Sequence, residues 1–262
     1  MLNENYITSK ENPVIKLYTK LASSRKERLL YGLFVLEGLR LVQDALCEKI
    51  NVKYLIFTAD AYKKYVEEFS QADLNDATTL VISNELGNKI AQTEKTQGVF
   101  AICPILTPDE TPLSSDDKLI VLHKLQDPGN VGMIIRTADA LGINSIIMCG
   151  CCDLYSPKVI RATMGSVFRM NLRIINDEDK LFEFLHSSDI RTYASVIDSD
   201  ADKIGDISFN KGAAVFIGNE GNGLPDDIAN KCDSKITIPM SGNINSLNAA
   251  MAAGIIMWEL KA

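Results

Sequence analysis

This sequence of 262 residues has few of the features that mark membrane, secreted or metal-dependent proteins. No apolar run is long enough to cross a bilayer, and the first residues, MLNENYITSKENP, lack the apolar core of a signal peptide. There are two histidines, and the six cysteines follow no regular spacing. Thiols without a disulfide framework are typical of a reducing compartment. We therefore expect a globular, cytoplasmic protein.

The sequence also has fewer basic than acidic residues: 27 are Lys or Arg and 34 are Asp or Glu, so the net charge is −7. Residues 1–103 carry 13 of each sign, so the excess of acid arises in the remainder of the chain. The pattern over residues 13–30 predicts one helix, and five residues along it are basic: Lys16, Lys20, Arg25, Lys26 and Arg28. Such a helix either binds the phosphates of a nucleic acid or presents a solvated face to water.

A proline-rich segment divides the chain in two. Residues 104–117, PILTPDETPLSSDD, hold three of the eight prolines, which is typical of a linker. Residues 1–103 alternate short strands with helices, which predicts a small α/β domain. Residues 118–262 hold six apolar strand patterns, and helical patterns separate most of them. This second region predicts a mostly parallel sheet with helices on both faces.

The stretch LHKLQDPGNVGMIIRTADAL, residues 122–141, organises the second domain. Its apolar start predicts a strand, and Asp127 followed by proline predicts a helix cap with proline in the first turn. Within the helix, apolar residues recur every three or four positions and define one buried face. Arg136 lies off that face, and Asn130 lies at the turn.

Two further glycine-rich loops directly follow apolar strands, in VFIGNEGNGLP and in ITIPMSGNINSLN. Ligands of open parallel sheets bind beyond the carboxyl ends of the strands, so the three loops are expected to meet at one site. Glycine and asparagine also supply ordinary positive-φ turns, which is the alternative for any single loop. Among the polar side chains that these two loops carry are Asn219, Glu220, Asn243, Asn245, Ser246 and Asn248.

The loops lack the marks of phosphate and dinucleotide sites. No G-K-[ST] triplet occurs, and GNEGNG has the order G-x-x-G-x-G rather than G-x-G-x-x-G. Glu220, with Asp226 and Asp227 just beyond it, would repel phosphate. A neutral or cationic ligand therefore suits these loops better.

The cysteine cluster Cys149, Cys151 and Cys152 has the form C-x-C-C, which invites a zinc interpretation. No histidine and no second pair of cysteines lies nearby in the chain. We therefore interpret these thiols as small residues that end a buried strand, and we predict no metal.

The last helical pattern is apolar on all sides, since Asn248 is the one polar side chain between Leu247 and Trp258. A helix of this kind must be covered on every side. Its alanines and Gly254 would let a neighbouring backbone approach closely. These features predict a subunit interface.

Three ordered motifs identify a family resemblance over residues 118–262. They are N-V-G-x-x-x-R-T-A from Asn130, G-x-E-x-x-G-L from Gly218, and I-P-M-x-G-x-x-x-S-L-N from Ile238. Together they resemble the SpoU (TrmH) family of RNA ribose 2′-O-methyltransferases, within the SPOUT class. Residues 1–103, through ITSKENPVIKLYTKL and LFVLEGLRLVQDAL, resemble the substrate-binding domain that precedes the catalytic domain in one branch of that family.

The resemblance implies a deep trefoil knot near the C-terminus, a homodimer, and S-adenosylmethionine as the methyl donor. The cofactor would lie against the knot loops at Gly218, Asn219, Ile238, Met240 and Leu247. The family's motif-one arginine corresponds to Arg136, which would activate the ribose hydroxyl or stabilise the developing alkoxide. The remaining polar site residues implied are Asn130, Glu220, Ser246 and Asn248.

The substrate implied is RNA, with large-subunit ribosomal RNA favoured over transfer RNA. The basic residues of the first helix would contact that RNA. Two alternatives stay open at this point: a ribosome-binding protein that uses the fold without catalysis, and a nucleotide-dependent oxidoreductase on an ordinary doubly wound sheet.

Overall fold

The computed structural model describes residues 6–69, 77–107, 111–143, 145–209, 211–242 and 246–261. The chain forms two compact units, Met1–Leu106 with Tyr155–Phe168, and Thr107–Leu154 with Arg169–Ala262. The predicted domain bounds, which are 1–103, 104–117 and 118–262, stay predictions. Residues 155–168 follow the predicted linker in the chain but belong to the first unit. Among the described residues, none of the helices combines the length and the apolar character that a membrane span requires.

The first unit contains a four-stranded mixed sheet. In the order β1-β4-β2-β3, β4 is antiparallel to both neighbours and β2 is parallel to β3. In its core, Tyr18 and Phe100 pack edge to face with ring centroids 5.5 Å apart. The predicted small α/β domain is confirmed. Its elements are α1 (Pro13–Ser23), α2 (Arg25–Tyr31), β1 (Leu33–Glu37), α3 (Leu39–Cys47), β2 (Tyr54–Thr58), α4 (Ala59–Tyr65), β3 (Thr78–Ile82), α5 (Asn84–Ile90) and β4 (Val99–Pro104).

The single helix predicted over residues 13–30 is wrong, because the chain breaks it at Ser24. This residue adopts an extended conformation, with φ −131° and ψ 119°, which ends α1. Its hydroxyl then accepts a hydrogen bond from the Glu27 backbone N–H at 3.3 Å and caps α2. A serine that bonds to the backbone in this way favours a helix start over a helix interior.

The second unit is built on a seven-stranded sheet in the order β7-β6-β5-β10-β8-β11-β9, and every pairing in it is parallel. The elements that complete the chain are β5 (Lys118–His123), α6 (Pro128–Leu141), β6 (Ser145–Cys149), α7 (Pro157–Thr163), β7 (Asn171–Ile174), α8 (Glu178–Ser187), β8 (Arg191–Ser195), β9 (Asp202–Lys203), β10 (Ala213–Ile217), α9 (Asp226–Lys231), β11 (Ser234–Thr237) and α10 (Ala249–Lys261). Of these, α7 belongs to the first unit.

The predicted parallel sheet flanked by helices is confirmed. Its central strands β5, β6 and β10 are buried along almost their whole length, which explains their continuous apolar patterns. Two short elements, β9 and α9, have no counterpart in the predicted pattern, because two and six residues are too few to show a hydrophobic period. The trefoil knot stays a prediction.

Helix α6 begins and ends as its sequence predicts. The Asp127 carboxylate accepts a hydrogen bond from the Asn130 backbone N–H at 2.8 Å, and Pro128 occupies the first turn. The helix ends at Gly142, which adopts the left-handed conformation with φ 75°. Val131, Ile134, Ile135 and Ala138 are fully buried. These local signals place Asn130 in the first turn of α6 and Arg136 near its middle.

Candidate functional site

The carboxyl ends of β5, β10 and β11 open onto one edge of the parallel sheet. β5 and β10 are direct neighbours, while β8 lies between β10 and β11. The loops that follow these three strands are the three glycine-rich segments of the sequence. The structure therefore brings the described parts of all three loops to the edge where ligands of such sheets bind.

Glu220 ties the second loop to the first. Its carboxylate accepts hydrogen bonds from the backbone N–H groups of Gln126, at 3.1 Å, and Asp127, at 2.9 Å. The side-chain amides of Asn130 and Asn219 also donate to it, at 3.2 and 3.3 Å. Partial burial acts to raise the pKa of Glu220, but hydrogen bonds from the backbone of Asp127, Glu220 itself and Gln126 and from the Asn130 side chain together lower it. Glu220 is thus an ionised anchor for the first turn of α6.

Asn130 connects this network to the third loop. Its side-chain amide donates to Glu220, and its oxygen Oδ1 accepts a hydrogen bond from Asn248 Nδ2 at 3.0 Å. The Asn248 oxygen in turn accepts from the backbone N–H of Ala250 at 2.9 Å, at the start of α10. One chain of hydrogen bonds therefore joins all three loops through Glu220, Asn130 and Asn248.

The second loop is a tight turn that requires glycine at two positions, Gly218 and Gly223. Asn219 and Gly223 exchange backbone hydrogen bonds of 3.0 and 2.9 Å, and Gly223 has φ 67°. A Cβ atom at Gly218 would lie 2.2 Å from the backbone of Gly223 and Leu224. The Asn219 side chain donates to the Lys124 carbonyl at 2.9 Å and accepts from the Gly221 N–H. Its polar atoms are therefore engaged within the loops themselves.

A cavity of about 450 Å³ opens beside these loops, within the size range of small-molecule sites. The predicted cofactor residues all line it: Gly218, Asn219, Ile238, Met240 and Leu247. Of the predicted catalytic residues, Glu220 and Ser246 line it as well. Asn243 and Asn245, which the sequence also singles out, lie outside the described residues.

Arg136 is not part of the cavity wall. Its side chain is exposed, six residues along α6 from Asn130, which is about 9 Å along the helix axis. Over the part of the chain that the structure describes, its guanidinium makes no hydrogen bond or ion pair. A single chain thus presents Arg136 to the outside and not to its own cavity.

One further part of the cavity lining could not be predicted from the sequence. It is formed by residues 195–198, which follow β8. Asp198 adds a third carboxylate to a lining that already holds Glu220 and Asp226. This loop has no glycine-rich signature, and its place at the site follows from the position of β8 between β10 and β11.

Cys149, one of the thiols considered for a metal, does have a histidine nearby in space. Its Sγ and donor atoms of His123 and Glu178 lie within 4.8 Å of one another. Glu178 is hydrogen-bonded to His123 Nε2 at 2.8 Å and paired with Lys124 at 2.9 Å. Burial raises the pKa of the Cys149 thiol, and the nearby Glu178 carboxylate raises it further. A protonated thiol and a lysine ammonium on the carboxylate both oppose a cation, so we interpret the cluster as a buried polar network.

The predicted RNA-binding residues separate into two groups. Lys16, Lys20, Arg25 and Lys26 are exposed, although Lys16 pairs with Glu11 at 2.5 Å. Arg28 requires a correction: 4% of it is exposed, and its guanidinium donates to the Leu21 carbonyl. A buried arginine that holds the backbone of α1 is not available to a phosphate.

Comparisons with known proteins agree with this geometry. Residues 117–258 match the model of the SpoU rRNA Methylase family, and residues 12–101 match that of the MRM3-like substrate binding domain. The chain is 30% identical to 23S rRNA (guanosine(2553)-2'-O)-methyltransferase RlmP of Bacillus subtilis, over 97% of this chain and 98% of that protein. It is 28% identical to the 23S rRNA (uridine(2479)-2'-O)-methyltransferase of Streptomyces viridochromogenes, over 97% of this chain and 90% of that protein.

A solved structure extends the similarity to the whole fold. The AdoMet-bound rRNA methyltransferase from Sinorhizobium meliloti superposes with a TM-score of 0.87 at 30% identity, covering 98% of this chain and 97% of that one. The family model alone spans more than half of the present sequence, and it includes all three loops that Glu220, Asn130 and Asn248 join. The chain belongs to the SpoU rRNA methylase family.

Proposed function

We propose that this chain transfers a methyl group from S-adenosylmethionine to a ribose 2′-hydroxyl of ribosomal RNA. The observation that carries the proposal is the cavity that all five expected cofactor residues line, beside the Glu220–Asn130–Asn248 network. The names of the relatives support ribosomal RNA as the substrate class, and two of them name different nucleotides. All six cysteines are free thiols, which fits the reducing cytoplasm as the compartment.

The residues that line the cavity fit S-adenosylmethionine. The turn at Gly218 leaves no room for a side chain, so backbone groups form that wall of the cavity. The described lining holds three carboxylates, Glu220, Asp226 and Asp198, and one ammonium, that of Lys235. This excess of negative charge favours a cationic sulfonium over a phosphate. When bound, this cofactor supplies a methyl group on a positively charged sulfur.

The remaining chemistry falls to polar side chains of the protein. A ribose 2′-hydroxyl is a weak nucleophile until its proton is removed or shared. Its oxygen would form a bond to the methyl carbon as the carbon–sulfur bond breaks, which would leave a neutral thioether, and its proton would pass to water. Arg136 is suited to orient that oxygen and to stabilise the developing negative charge, since a guanidinium stays protonated at neutral pH.

The position of Arg136 supports a composite site made by two copies of the chain. Arg136 lies on the outside of α6 and not at the cavity of its own chain. Helices α6 and α10 pack together, with Thr137 3.9 Å from the Cβ position of Gly254. Around this contact the two helices expose large apolar side chains: Met133, Met251, Ile255 and Trp258. Large exposed apolar side chains on two helices that pack together are typical of a protein interface, so we propose that this surface forms a homodimer.

A charge placed on this surface tests the homodimer. Ala253 is fully buried within its own chain and would report on folding, whereas Ile255 and Trp258 point outward. We expect Ile255→Glu/Trp258→Glu to dissociate the dimer, because burying an unpaired charge is strongly unfavourable. Sedimentation velocity at micromolar concentration measures the result. Ile174→Glu, which changes an exposed isoleucine on β7, is the matched control. A wild-type protein that sediments as a monomer would contradict the proposal.

Mass spectrometry of modified nucleosides tests the reaction itself. Ribosomal RNA from cells with and without this protein is digested and compared for 2′-O-methyl nucleosides. We expect one such nucleoside to disappear in the deletion strain and to return when purified protein and S-adenosylmethionine are added to that RNA. An unchanged set of 2′-O-methyl nucleosides, together with no cofactor binding by calorimetry, would reject the proposal and favour a non-catalytic ribosome-binding protein.

A further inference from the structure

Helix α2 buries an arginine and exposes two leucines, which is the reverse of the usual pattern. Arg28 is 4% exposed and donates to the Leu21 carbonyl, so the charged side chain faces the protein. Leu29 and Leu30 face water instead and are 65% and 68% exposed. An amphipathic helix on a globular surface normally buries leucine and exposes arginine. The exposed leucines therefore need another explanation than burial in the core of this unit.

The exposed residues of α2 form one continuous surface. Arg25 and Leu29 are four residues apart, as are Lys26 and Leu30, so the four side chains lie on neighbouring positions of the same helix face. Tyr31 ends the helix and is 47% exposed. We call Arg25, Lys26, Leu29 and Leu30 the α2 face. It combines two cations with two large apolar groups within two helical turns.

We infer that the α2 face binds RNA through unpaired bases, an inference that rests on the proposed function for its substrate class. Cations contribute to the binding of phosphates, and apolar side chains can pack against bases that lie outside a stacked duplex. The charge of the α2 face favours RNA over a second copy of the chain as its binding partner. Between Ala249 and Trp258 the exposed apolar surface of α10 has no charged residue, whereas the α2 face carries Arg25 and Lys26.

The location of the face agrees with this inference. It lies within residues 12–101, which match the MRM3-like substrate binding domain. The predicted RNA contacts were cations alone, and burial removes Arg28 from that set. The leucines add what phosphate contacts cannot provide, since contacts to single-stranded bases report whether the RNA is paired.

Two double variants of the full-length protein test the inference. The probes are a fluorescein-labelled 12-mer of uridine and a 12-base-pair RNA duplex, with affinity measured by anisotropy. We expect Leu29→Ser/Leu30→Ser to weaken single-strand binding about tenfold, from the lost apolar burial, and to leave duplex binding almost unchanged. Arg25→Gln/Lys26→Gln should lower the slope of log K against log salt by about 1.4, from about 0.7 per single-strand phosphate contact. Ile174→Ser, on β7, is the control for an exposed apolar change.

Three results would overturn the inference. One is wild-type protein that shows no preference for the single strand, and another is a double-serine variant that binds it as the wild type does. The third is a change in oligomeric state in that variant with RNA affinity unchanged, which would assign the face to a second copy. Because both leucines face water, thermal unfolding of the variant should match that of the wild type.

The two proposals can fail separately. If the wild type methylates ribosomal RNA and the double-serine variant binds single strands normally, the inference about the α2 face fails and the reaction stands. If the wild type transfers no methyl group and the variant nevertheless loses single-strand affinity, the reaction fails and the RNA-binding face stands.

Discussion

The first turn of α6 and the middle of the same helix differ sharply in how their polar residues are held. Asn130, in the first turn, is hydrogen-bonded through both ends of its amide, to Glu220 and to Asn248. Arg136, less than two turns later, is exposed, and within the described residues its guanidinium has no partner. Both belong to the same sequence motif.

This difference shows which part of the site one chain completes by itself. The hydrogen bonds of Glu220, Asn130 and Asn248 fix the loops around the cavity before any ligand arrives, and such preorganisation lowers what binding must later supply. Arg136 is left for groups outside the chain, either the RNA or a second copy. A loss of Arg136 should therefore affect turnover, and a loss of Glu220 should affect loop order and cofactor affinity.

The largest effect is expected for Arg136→Ala. Removing a group that stabilises developing charge typically lowers the rate about a hundredfold or more, so we expect kcat to fall by at least that factor. Cofactor affinity, measured by calorimetry, should stay at the wild-type value, because the proposed role of Arg136 is toward the ribose oxygen and the residues expected to hold the cofactor are others.

Two companion variants sharpen this prediction. Arg136→Lys should also fail, because an ammonium cannot reproduce the planar donor fork of a guanidinium. Arg40→Ala removes another exposed arginine, on α3, and should retain the kcat of the wild type. Turnover by Arg136→Ala at a rate close to that of the wild type would show that the arginine has no part in the reaction.

A smaller effect is expected for Glu220→Gln, and it should appear in stability and cofactor affinity and not in kcat. The amide keeps the shape of the side chain but turns one acceptor oxygen into a donor, which then faces the backbone N–H of Gln126 or Asp127. We expect the free energy of unfolding to fall by about 1 kcal/mol, with weaker cofactor binding. Urea unfolding and calorimetry measure both quantities, and Glu183→Gln, an exposed glutamate on α8, is the matched control. Equal stability of the two variants would mean that the network adds nothing.

The smallest effect concerns the pH dependence of that difference. The pKa of Glu220 is lowered in the folded protein, so its contribution to stability is present above the ordinary carboxyl range and is lost as the pH falls through the lowered value. The gap in unfolding free energy between wild type and Glu220→Gln should therefore shrink as the pH falls from 7 to below about 4. Taking the difference in unfolding free energy between wild type and variant cancels the contributions of Glu178 and Asp233, whose pKa values are also lowered. A gap that stays constant over this range would contradict the lowered pKa.

Local signals explain why much of this protein can be predicted. The cap at Asp127, the buried face of α6 and the glycine-rich turn at Gly218 each depend on residues within a few positions of one another. The same holds for the apolar strands, whose burial follows directly from their composition. Three ordered motifs then identified the family, because each of them joins a strand end to a loop of defined chemistry.

Local signals also explain the errors. A basic helical pattern describes Arg28 and Lys26 equally well, although one is buried and the other is exposed. In the sequence Ala253 resembles an interface residue, although it is buried within its own chain. A helix that is apolar on all sides has no pattern that separates its inner side from its outer side. Which side faces the core depends on the neighbours that the helix meets.

The sequence by itself therefore determined most of the helices and strands, the three loops and the family to which they belong. Only the tertiary structure decided that Glu220 binds backbone groups more than ninety residues earlier in the chain, and that residues 195–198 line the cavity. The physical reason lies in the strand order β5-β10-β8-β11, which places side by side segments that are far apart in the chain. Periodicity and turn chemistry act over a few residues, whereas that order results from packing the whole sheet at once.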